Sequence, residues 1–110
     1  MSISDAGTID GIGIDKASGE VVLNISDHLD WADQEGHLTA LETKVNAYLE
    51  YLESGQLVKD LPNAKGRRPR IAVYQQFAAP DGATEVLERL GAALEAHGIG
   101  FNFGELPAGY

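Results

Sequence analysis

The chain predicts an α+β fold, a two-layer sandwich in ββαβαβ order. A single mixed four-stranded sheet carries two helices packed on one face. Three observations lead there. Four short stretches carry strand-type apolar faces, two longer ones repeat apolar residues every three to four positions, and each strand has only one apolar face. A length of 110 residues suits one domain with a modest core. The span 1–110 is therefore read as a single domain, with irregular termini over 1–7 and 104–110.

The first strand runs from Thr8 to Ile14 and places Ile12 and Ile14 on one face. The second, Glu20 to Ser26, sets Val21, Leu23 and Ile25 on one face and Asn24 and Ser26 on the other. Between them, Asp15–Gly19 is a short polar turn with its glycine late, which makes a β-hairpin. Gly11-Ile12-Gly13 lacks the third glycine and the following helix of a dinucleotide loop, so a nucleotide site is excluded.

From Asp33 to Ser54 the residues Leu38, Leu41, Val45, Tyr48, Leu49 and Leu52 form one helical stripe. Glu42, Lys44, Asn46, Glu50 and Glu53 fall largely off it. Asp30 or Asp33 is placed to cap this helix, and Gly55 to end it. Gly55 to Arg70 is a long connector, from which Leu57, Val58 and Leu61 are expected to turn inward. Arg70 to Phe77 is the third strand, with Ile71 and Val73 inward. Pro80 opens a second helix whose apolar face is Val86, Leu87, Leu90, Ala93 and Leu94, ended by Gly98. Ile99 to Phe103 is the last strand. A strand–helix–strand return makes the third and fourth strands parallel, while the connector leaves the direction of the third against the second open.

Net charge is -9, and it is unevenly spread. Residues 1–60 hold twelve acidic and three basic side chains, whereas residues 61–110 hold five of each. Such a field repels phosphate backbones and anionic lipid, so neither nucleic acid nor membrane is expected as a partner. No apolar run reaches the length of a membrane span, and Met1-Ser2-Ile3-Ser4-Asp5 has no signal-peptide character. The absence of cysteine removes disulfides and thiolate chemistry and fits a reducing, cytoplasmic interior.

Asp27, His28, Asp30, Asp33 and His37 crowd within eleven positions around the sole tryptophan, Trp31. Carboxylates and imidazoles ligate zinc, manganese or iron, and Asp33 and His37 would share a helix face. The spacing matches neither H-E-x-x-H nor an EF-hand loop, however. The simpler reading makes the aspartates helix caps and leaves His28 and His37 as surface or cap-bonding residues, with no cofactor bound. Asp27 and His28, adjacent in a strand, point to opposite faces and form no dyad. Trp31 is expected to staple the helix onto Leu38 or Leu41. Tyr51, off the apolar stripe, is the better candidate for an interface. The basic loop Pro62–Arg70 offers Arg67 and Arg68 either to nearby carboxylates or to an anion or acidic partner.

The words Ile9–Asp15, Ile25–Trp31, Asn46–Leu49 and Glu53–Leu57 resemble a family of small bacterial proteins of about this length, known only as a domain of unknown function. The resemblance implies bacterial origin and a stand-alone α+β domain, and it supplies no activity. The residues thus favour a non-enzymatic interaction or accessory module. Asp27, His28, Asp30, Trp31 and Tyr51 are its candidate binding residues, with a protein as partner and an edge-strand homodimer as a compatible arrangement. The alternative is a small ligand- or metal-binding protein, or an enzyme, with its site around Asp27–His37.

Overall fold

A computed structural model of the chain describes residues 9–105. Its elements are β1 (Gly11–Ile14), β2 (Val21–Asp27), α1 (Gln34–Glu53), α2 (Gln56–Asp60), β3 (Pro69–Gln75), α3 (Asp81–Ala96) and β4 (Gly100–Glu105). A 3-10 turn over Pro62–Ala64 follows α2. The sheet order is β1-β2-β3-β4, with β1 antiparallel to β2 and the other neighbours parallel. Both crossovers step the same way across the sheet. Right-handed connections therefore bring α1 and α3 onto the same face, as the single apolar face of each strand requires.

The register explains the core. Val21, Leu23 and Ile25 of β2 lie level with Pro69, Ile71 and Val73 of β3, and all but the proline are at most 1% exposed. Ile12 pairs with Leu23 and Ile14 with Val21, so the hairpin's isoleucines join the same layer. Leu41, Val45 and Tyr48 of α1 and Leu87 and Leu94 of α3 close it from above. Gly91 lets α3 approach β4: a Cβ there would stand 3.0 Å from the Phe101 ring. Gly19 closes the hairpin at φ 77° and Gly55 ends α1 at φ 80°, backbone conformations that disfavour other residues.

Several expectations change in detail. The connector is not irregular, because it holds α2, a third helix, and the 3-10 turn. Leu57 is buried there, but Val58 is 38% exposed. Pro80 caps α3 instead of occupying its first turn, and Ala93 is exposed. β3 ends at Gln75, which leaves Phe77 outside the sheet and 44% exposed. β4 runs on to Glu105, past the expected irregular start at 104. Lys44, placed outside the apolar stripe by its charge, is fully buried. The expected irregularity of residues 1–7 and 106–110 lies outside the described residues. No described helix is long and apolar enough to cross a membrane.

Candidate functional site

The alternation that buries Val21, Leu23 and Ile25 continues to Asp27, which is 1% exposed at the end of β2. Above it sits His37, in the first turns of α1 and 2% exposed. His37 Nε2 lies 2.7 and 2.6 Å from the two carboxylate oxygens of Asp27, and Nδ1 lies 2.9 Å from the Asp30 carbonyl. A carbonyl oxygen only accepts, so Nδ1 carries a hydrogen and donates it. The other ring nitrogen, Nε2, is taken up by the carboxylate. Trp31 stacks on the imidazole at 3.7 Å between ring centroids and donates its Nε1 hydrogen to the Phe77 carbonyl, 3.1 Å away. Trp31 thus packs on His37, a residue not foreseen as its partner, and lies against the core cluster that includes Leu41. His37 is also neither a surface nor a simple cap-bonding residue.

This arrangement has a chemical consequence. Both imidazole nitrogens are committed, so His37 offers no lone pair to a metal and no free base to a substrate. Asp33 spends its carboxylate on the Gly36 N–H, 3.0 Å away, as the helix cap. Asp33 and His37 are thus not brought together as ligands, and among the described residues no group of three His, Asp or Glu side chains is placed to hold a metal ion. Asp30 bonds the Ala32 N–H and, with Leu29, Asp33, Gly36 and His37, borders a depression of about 280 Å³. His28 is exposed.

A second buried centre lies outside the candidates read from the sequence. Lys44 lies two helical turns beyond His37 and reaches Asp10, with Nζ 3.1 Å from Oδ1 and both side chains at most 2% exposed. Asp10 Oδ2 accepts the Ser26 N–H at 2.8 Å, and the Tyr48 hydroxyl bridges the Asp10 N–H and the Asn24 carbonyl. Burial pushes the Tyr48 hydroxyl up to about 12. One signal could have found both centres. The alternation through Asp27 and the helical series His37, Leu41, Lys44, Tyr48 each extend an apolar pattern onto a charged residue.

The remaining candidates are placed as follows. Tyr51 is half-buried and donates its hydroxyl to Asp60 of α2 at 2.7 Å. Burial, with that hydrogen bond, pushes its hydroxyl up to about 12, while the same bond and one from Gln56 hold the exposed Asp60 carboxyl below its usual range. Arg67 donates to the Asn63 and Gly19 carbonyls, and Arg68 pairs with Glu95 at 2.5 Å and Glu20 at 3.8 Å. On the sheet face opposite the helices, Arg70 bonds Asp15, Glu20 and Asn102. The Arg side chains of the basic loop therefore all have partners within the chain.

A family of unknown function, DUF6572, matches residues 1–106, so the chain belongs to that family. No curated protein and no solved structure matches it.

Proposed function

We propose that this member of DUF6572 is a non-enzymatic binding module that recognises a basic protein surface through the outward side of α1. The supporting observation is the charge of that helix. Glu35, Glu42, Glu50 and Glu53 are exposed, whereas its single basic residue, Lys44, is buried against Asp10. The exposed side of α1 therefore carries negative charge with no cation on the same helix to balance it, and such a field accelerates encounter with a basic partner. At its N-terminal end the stripe runs into the depression beside Asp30 and Asp33, where Leu29 is 39% exposed and can take the apolar stem of a lysine or arginine. Trp31 and Tyr51 serve this surface as supports: one is stacked on His37 and the other tied to Asp60.

The test is capture of partners from native lysate at low and at high salt. The wild-type chain is compared with a variant carrying Gln at positions 35, 42, 50 and 53, whose helicity is checked by circular dichroism. Retention of a basic protein that is lost both at high salt and in the variant supports the reading. A partner held equally by both chains at either salt places recognition elsewhere and overturns it.

A further inference from the structure

The two edges of the sheet differ in how they are finished. β1 is four residues long and begins beside Asp10, whose side chain, and not a backbone carbonyl, takes the Ser26 N–H. Short length and a side-chain stop are ordinary ways to blunt an edge. β4 has six residues, and no described strand lies beyond it. It holds no proline, lysine or arginine, and its one charge, Glu105, stands at the very end.

Its sequence is also symmetric. Gly100-Phe101-Asn102-Phe103-Gly104 reads the same in both directions about Asn102. An antiparallel pair of identical strands related by a two-fold axis at Asn102 would place Gly100 opposite Gly104, Phe101 opposite Phe103 and Asn102 opposite itself. That register keeps every side chain on its proper face, because the paired positions differ by an even number. Phe101 and Phe103 already lie together on the helix-bearing face, with ring centroids 6.0 Å apart, and the dimer would extend them into a four-ring cluster. Asn102 is exposed on the opposite face, where its Oδ1 accepts from Arg70 at 2.6 Å and its amide N–H groups are left to meet the other copy. The glycines flank the cluster and add no bulk at the join.

We infer that β4 is a homodimerisation edge, pairing antiparallel with β4 of a second copy about a two-fold axis at Asn102 to form one eight-stranded sheet. A two-fold contact must be complementary to itself, and a palindromic strand meets that condition residue by residue. A hetero-partner would place no symmetry requirement on the strand.

The chain has no cysteine, so a single introduced one reports the axis. In the proposed register the two copies of residue 102 lie about 4.5–5.5 Å apart at Cα, within disulfide range. The copies of residue 105 lie roughly 20 Å apart. Sedimentation should give a mass near twice 11.7 kDa for the unmodified chain. Asn102→Cys should cross-link under mild oxidant while Glu105→Cys stays reduced. Asn102→Lys, folded by circular dichroism, should shift the protein toward the monomer, because it sets like charges across the axis. A monomer at millimolar concentration overturns the inference, as does a dimer that survives Asn102→Lys or cross-links equally from both cysteines.

Discussion

Two buried side-chain pairs hold α1 to the sheet, and they are buried in different company. Asp10–Lys44 lies over the start of the edge strand, and the carboxylate has a second bond from the Ser26 N–H. Asp27–His37 lies at the end of β2, where the carboxylate also accepts the Leu29 N–H at 3.2 Å and the depression bordered by Leu29 and Asp30 begins. The first pair is sealed inside the polar network of Tyr48. The second is just as buried, with both side chains 1% exposed, but its imidazole stacks on Trp31 and borders the depression. Buried pairs contribute little net stability when whole, yet they cost a great deal when one partner is removed. The pair with no depression beside it should therefore be the more sensitive.

Lys44→Ala gives the sharpest test of that difference. It leaves the Asp10 carboxylate buried with the Ser26 N–H alone, and it should cost about 3–5 kcal/mol in denaturant unfolding. His37→Ala removes the partner of Asp27 and the platform under Trp31, but the site lies beside the depression, where water can reach the freed carboxylate. A loss of about 2–3 kcal/mol is expected, with a change in tryptophan fluorescence that Lys44→Ala does not produce. If His37→Ala proves the costlier change, the ranking by nearness to the depression is wrong.

Tyr48→Phe is the mildest change, at about 1–2 kcal/mol, because it orphans the Asp10 N–H and the Asn24 carbonyl without removing a charge. It also carries a pH signature. A folded-state value of about 12 against the ordinary 10.0 means that the folded protein resists ionisation of Tyr48. The associated stability is fully present below pH 10 and is lost as pH rises toward 12. Tyr51 contributes in the same window and in the same direction. Denaturation midpoints followed from neutral to strongly alkaline pH should fall through this range in the wild type. They should fall less steeply in Tyr48→Phe, and an unchanged slope would mean that Tyr48 is not the titrating group.

Much of the fold can be read from the chain because local periodicity reports which side of an element is buried. The alternation in β2, the α1 stripe and the hairpin glycine specify their elements without help from distant residues. The direction of β3 does not follow from such patterns, since a connector containing α2 hides the crossover. The buried polar residues were harder to read. A lysine within a helical stripe looks like a residue for solvent, and its buried partner Asp10 lies 34 positions away in the chain. His37 was misread for the same reason, because its partner Asp27 seemed to belong to the junction and not to the core. Around Trp31, only Asp27, His37 and the indole turn toward each other, while Asp30 and Asp33 bond nearby backbone N–H groups.

The bonds of Asp10, Asp27, His37, Lys44 and Tyr48 described above share one property of chain connectivity. All of them close within residues 10–48, so the hairpin and α1 carry these polar contacts without help from the second half. β3 instead adds aliphatic side chains across a longer separation, with Ile71 joining Leu23. Closing a shorter loop costs less chain entropy than closing a longer one. The order of the chain therefore separates two tasks: its first half fixes where the buried charges go, and its second half completes the apolar layer of the sheet.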